Sequence, residues 1–190
     1  LSHMNIGSWP ETGLEPVMDD STKENLIDWC YSALTYQGLK GRRVVVFGHD
    51  STGMETALPH NRATRESLGI ETTRLDMKLL ADMLTKKSYD KNELKELRHW
   101  ITTKSAGIEL PEAADNERLD ETLAMYLITR DLMKDLNAVG GGFMSQLEWG
   151  SDARGIPLPV ADIMESLFNS NFDHNGPKAV IPYATEADVQ

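Results

Sequence analysis

The residues best placed to do chemistry lie near the carboxyl end of the chain, in "AVIPYATEADVQ" (179–190). The apolar run Ala179-Val180-Ile181-Pro182-Tyr183-Ala184 reads as a strand, and it leads directly to Glu186 and Asp188. Carboxylates just past the carboxyl end of a strand stand where open α/β sheets place their ligands. Glu165, on the segment after Pro159, is the third acidic candidate. On a helix there, Ile163, Met164, Leu167 and Phe168 form one apolar stripe, and Glu165 projects about 130° from its centre, the direction of a solvated side chain. A second kind of chemistry is conceivable in "VVVFGHDSTGM" (44–54), where a glycine loop after a strand could turn backbone N–H groups toward a phosphate. It lacks both the GxGxxG spacing and the lysine of a P-loop, so an ordinary loop is the plainer reading. His49, His60, His99 and His174 show no i, i+4 pairing; His99 sits in the charged stretch "KELRHW", where solvent exposure is expected. Taken alone, these residues give an α/β domain with a carboxylate site.

The elements that must position them follow from pattern. Ser21-Thr22-Lys23-Glu24 has capping-box spacing, and Leu26, Ile27, Cys30, Tyr31 and Leu34 then recur at helical intervals up to Gly38. "RRVVVFG" (42–48) is a short continuous apolar run, as in a strand buried on both faces. A helix is predicted near 58–68, closing at Gly69, then a strand over 70–76, a helix over 77–87, and a further helix capped by Asp90. The longest helix is predicted over 116–136, with Leu119, Leu123, Tyr126, Leu127, Met133 and Leu136 inward. "AVGGGFMSQLEWG" is too rich in glycine for a helix and predicts a strand from Gly142 to Leu147. Pro159 opens a helix over 160–168, "NSNFDHNG" reads as a loop, and the last strand is predicted over 178–185. Strands alternating with helices call for a Rossmann-like α/β fold, a largely parallel sheet with helices on both faces.

Composition narrows the class. A formal net charge of −11 argues against nucleic acid as a partner. No apolar run approaches the length of a membrane span, so no membrane partner is expected. Cys30 is the single cysteine; it excludes an internal disulfide, and its place on an apolar stripe predicts a buried thiol in a cytoplasmic protein. "LSHM" (1–4) has the form of a cleaved expression-tag scar, 5–20 reads as an extended lead-in, and 21–190 as a single α/β domain.

Three segments in order, "GGGFMSQLEW", "ADIMESLFNSNFDHNG" and "YATEADVQ", resemble the L-fucose isomerase (fucose/arabinose isomerase) family. Upstream, "GRRVVVFGHDSTGM", "IETTRLDM" and "LITRDLMKDL" are similar to it in the same order, so the resemblance covers roughly residues 40–190. It is most specific from Gly140 onward. The resemblance implies the second of two Rossmann-like domains in a larger aldose–ketose isomerase, truncated at its C-terminal end. It implies Glu165 and Asp188 as metal ligands and acid/base groups, and Gln146 near the sugar. The implied cofactor is Mn²⁺ (or Mg²⁺) in the full-length enzyme, completed by a histidine that no histidine here matches. The implied partner is a small-molecule sugar, and a homo-oligomer is expected for the full-length protein. The 190-residue piece itself is expected to be inactive and to hold no metal. The rival expectations are a non-catalytic sugar- or partner-binding module and, more weakly, a nucleotide site at Ser51 to Met54.

Overall fold

The computed structural model describes residues 18–48, 60–108, 115–143 and 160–185. The chain divides into two contact units, 1–39 and 40–190.

The first unit contains helix α1 (Asp20–Leu39). Asp19, not Ser21, caps it: the carboxylate accepts from the Thr22 amide at 2.7 Å and from its hydroxyl at 3.0 Å. These bonds hold the Asp19 carboxyl below the usual carboxylate range. The two carboxylate oxygens take one donor each. None of α1 is buried, and Ile27, Trp29, Tyr31 and Leu34 are all exposed. Cys30 is therefore exposed as well, against the expectation of a buried thiol. The helical spacing was right, but spacing identifies a face able to be buried and does not supply what covers it. Native Cys30 is expected to react with Ellman's reagent about as fast as in the urea-unfolded chain, whereas a buried thiol would lag far behind.

The second unit is built on a four-stranded, wholly parallel sheet in the order β2-β1-β3-β6, with β1 Arg43–Phe47, β2 Glu71–Leu75, β3 Ala138–Phe143 and β6 Tyr183–Thr185. Val45, Val46 and Phe47 are fully buried, as the continuous apolar run required. The register aligns Leu75, Phe47, Phe143 and Thr185 along the carboxyl edge.

Strand β3 begins four residues before the predicted Gly142, and Met144 to Leu147 of the prediction lie outside the described residues. The reason is local and tertiary together. Asn137, at φ 53°, turns the chain out of the preceding helix at once, so the strand must start at Ala138. A Cβ on Gly141 would lie 2.9 Å from the Val45 carbonyl and 3.2 Å from the Tyr183 ring, so the glycine run permits close strand approach. Strand β6 is shorter than predicted, because residues 178–182 are not strand. Pro182 has no N–H, and the Ile181 amide donates instead to the Phe168 carbonyl at 3.0 Å. The stretch predicted as a loop carries a small antiparallel ladder, β4 (Phe172–Asp173) with β5 (Gly176–Pro177).

The helices are α2 (Asn61–Leu68), α3 (Met77–Thr85), α4 (Lys91–Lys104), α5 (Asp115–Asp135) and α6 (Val160–Asn169). Gly69, at φ 71°, closes α2 in the left-handed conformation. His60 caps its start, Nδ1 accepting from the Ala63 amide at 3.2 Å. Asp76 caps α3 and Asp90 caps α4, the latter accepting from both Asn92 and Glu93 amides. Helix α5 is the longest among the described residues, and it contacts α3, α4, α6 and β3. Leu123, Ala124, Met125, Tyr126, Leu127 and Ile128 are buried in succession, so α5 is enclosed on nearly all sides, not along one stripe. Phe168 of α6 lies between Tyr126 (ring centroids 4.9 Å) and Tyr183 (4.6 Å), joining helix and sheet in one core. No described helix is long and apolar enough to cross a membrane.

Candidate functional site

Helix α6 carries Glu165. Met164, Leu167 and Phe168 are buried against the core, Ser166 is exposed, and Glu165 is half-buried. Its side chain is thus less solvated than its angle from the apolar stripe predicts. The helix end is fastened to the strand that follows. The Asn169 amide donates to the Tyr183 carbonyl at 2.8 Å, and its carbonyl accepts from the Tyr183 amide at 3.1 Å. Lys178 Nζ donates to the carbonyls of Phe168, at 3.0 Å, and Ser170, capping the C-terminus of α6 with a positive charge. Burial pushes the Lys178 ammonium below the ordinary lysine range.

Gln146, Glu186 and Asp188 lie outside the described residues. Their sequence positions relative to the sheet are nevertheless defined. Phe143 and Thr185 are partners at the ends of adjacent strands; Gln146 follows the first and Asp188 the second, each by three positions. The strand order reverses between β1 and β3, which makes the crevice beside β3 the topological switch point of this sheet. The loop from Ser51 to Met54 also lies outside the described residues.

A divalent metal fits the donor chemistry of these carboxylates, since oxygen ligands suit Mn²⁺ and Mg²⁺. Glu165 offers such a donor from a partly desolvated position on a rigid helix. Among the described residues, no cluster of three or more His, Cys, Asp and Glu could hold a metal by itself.

A polar network at the hairpin between α6 and β6 was not apparent from spacing. Arg130 of α5 grips Glu93 of α4 with two prongs, Nη1 to Oε1 and Nη2 to Oε2, the second at 2.9 Å. The same Oε1 faces His174 Nε2 at 3.1 Å and Asn175 Nδ2 at 3.4 Å. Tyr126 donates to Asp173 at 3.3 Å, and Asp173 accepts from the Asn175 amide at 2.8 Å. The hairpin between α6 and β6 is therefore pinned to two helices. His174 belongs to this anchor, and His99 is exposed as expected. The Asp90 cap and the Asp-His-Asn-Gly turn are legible locally, but Glu93 meets Arg130 across 37 positions and His174 across 81.

Hydrogen bonds from Arg130 pull the Glu93 carboxyl down to about 2, with burial opposing and the guanidinium charge, His174 and Asn175 assisting. Arg130 is pushed further up by Glu93 and Asp131. Tyr126 is raised by burial and by the charge of Asp173, and Tyr183 by burial alone. Because Glu93 titrates lower when folded than its ordinary 4.5, its stabilising contribution is complete above about 4.5 and is lost as pH falls through about 2. The gap in urea midpoint between wild type and Glu93→Gln is expected to be constant above that range and to narrow below it; a gap independent of pH would contradict this.

Residues 42–190 match the second N-terminal domain of L-fucose isomerase. The chain belongs to the L-fucose isomerase family. Within that family it is 26% identical over 193 residues to the L-fucose isomerase of Haemophilus influenzae (strain Rd), covering 89% of this chain and 32% of that protein. The L-fucose isomerase of Vibrio vulnificus is 27% identical over 187 residues, covering 87% and 31%. That of Salmonella paratyphi B is 26% identical over 189 residues, with the same two shares. The chain thus spans about a third of the length of these relatives. Helix α1 precedes the matched domain, while Gln146, Glu165 and Asp188 all fall inside it.

Proposed function

We propose that this chain is the second α/β domain of a metal-dependent ketol isomerase that interconverts an aldose and a ketose of the L-fucose type. The observation that carries the reading is the family match across 42–190, which includes every residue assigned to the site. In this account Glu165 and Asp188 hold the metal and also handle protons, and Gln146 hydrogen-bonds the sugar. Interconverting C1 and C2 requires one base to take the proton from the C2 carbon of the aldose and return it to C1. A second group moves a proton between the two oxygens. The half-buried place of Glu165 on helix α6 supports a positioned role in proton transfer. When bound, a divalent cation would supply Lewis-acid stabilisation of negative charge on the sugar oxygens. A cytoplasmic location and a homo-oligomeric full-length protein complete the reading.

Two carboxylates are too few ligands for tight metal binding, so the 190-residue chain is proposed to be inert, with the third ligand, a histidine, supplied by other sequence. The test is an assay of the full-length protein with L-fucose and arabinose in MnCl₂. Ketose formation that stops with chelation and returns with Mn²⁺ is expected. Sugar binding without conversion would overturn the catalytic reading in favour of a binding module.

A further inference from the structure

We propose that Asn169 is a positioning residue for Glu165, fixing α6 against β6. This rests on the reading of Glu165 as a metal ligand. Asn169 follows Glu165 by four positions, so the two side chains stand one turn apart along the same side of α6. The Asn169 amide bonds both the N–H and the C=O of one residue, Tyr183. Tyr183 pairs in register with Gly141 of β3 while its own peptide groups engage Asn169, so the clasp covers the outer edge of the terminal strand. Thr185 lies two residues further on and Asp188 five.

A helix packed only by apolar contacts can shift along a sheet at modest cost, because those contacts are not directional. The clasp is directional: displacing α6 by one residue, about 1.5 Å, breaks both bonds and leaves buried peptide groups of Tyr183 unpaired. An asparagine amide meets the geometry because it carries a donor and an acceptor on one short stem. An ionised aspartate accepts from the Tyr183 N–H but cannot donate to its carbonyl; alanine does neither. The Ile181–Phe168 and Lys178–Phe168 bonds join the same two segments but engage α6 only through its backbone carbonyls. Asn169 instead bonds the strand itself through its side chain.

The test is Mn²⁺ titration of the full-length protein, read by the EPR signal of the free ion, for wild type, N169A, N169D, E165Q and L97A. Leu97 is fully buried on α4, so L97A lowers stability with no bond to α6 or β6. Asn169→Ala and Asn169→Asp are expected to weaken Mn²⁺ binding about tenfold or more, as for other groups that orient a ligand, with L97A at wild-type affinity. If N169A does not fold, N169D, which keeps one bond of the clasp, carries the measurement. Asn169 variants that lose stability but keep wild-type affinity would overturn the proposal while leaving the ligand reading intact. An equal loss in L97A would also overturn it, by showing a general effect of stability. Unchanged affinity in E165Q would overturn the ligand reading itself, and the positioning role with it.

Discussion

Glu165→Gln and Asp188→Asn in the full-length protein are each expected to lower kcat/KM for aldose-to-ketose conversion by about 10³-fold or more. Loss of a positioned acid or base alone costs roughly 10²–10⁴, and each substitution also replaces an anionic ligand with a neutral amide. On the usual conversion, 10³ corresponds to about 4 kcal/mol of transition-state stabilisation. The two roles separate in the metal dependence. If a variant has lost only metal affinity, raising Mn²⁺ restores much of its rate; if the carboxylate also moves protons, a large deficit persists at saturating Mn²⁺. The persistent deficit is expected for Glu165, whose half-buried position on α6 suits proton transfer. Wild-type rates in E165Q would remove it from the mechanism.

Phe168→Ala is expected to destabilise the 190-residue chain by about 3–5 kcal/mol, the range for deleting a large buried aromatic. Phe168 is fully buried, its ring stacks on Tyr183 and tilts against Tyr126, and so it touches helix, sheet edge and central helix at once. Collapse around the vacancy is limited on the sheet side, because Gly141 leaves little spare room beside Tyr183: even a Cβ there would lie 3.2 Å from the ring. Urea unfolding followed by circular dichroism measures the change. A loss below about 1 kcal/mol would mean that the site refills and that Phe168 does not join these layers. The expected loss also bears on function, since Phe168 immediately precedes Asn169 at the joint between α6 and β6.

Elements whose signal is local were legible in the sequence. The Val-Val-Val-Phe run of β1, the Asp90 cap of α4 and the left-handed Gly69 after α2 depend on a few neighbouring residues, and each stands where its chemistry places it. Strand β3 was misplaced because its start depends on the turn at Asn137, and its glycines answer to Val45 and Tyr183 on other strands. Cys30 was misjudged for a related reason: periodicity describes a helix face, and α1 has none of its residues buried. The Glu93–Arg130–His174 anchor joins three segments far apart in sequence, and no spacing rule reaches across them. Of the site, periodicity alone placed Glu165 outside the apolar stripe; its assignment came from the flanking "IMESLFNSNFDHNG" motif. The end of β6 at Thr185 was legible, because a short apolar run followed by acidic residues marks a strand end without tertiary information, while Asp188 lies outside the described residues.

Glu165 and Asp188 are proposed to converge in the full-length protein to hold one divalent ion. A crystal structure of the full-length protein with Mn²⁺, using anomalous scattering at the manganese edge, tests it directly. A single anomalous peak is expected within about 2.0–2.6 Å of a carboxylate oxygen from each residue, the span of Mg²⁺ and Ca²⁺ oxygen distances that brackets Mn²⁺. Manganese bound elsewhere, or the two carboxylates on opposite sides of the sheet, would contradict it.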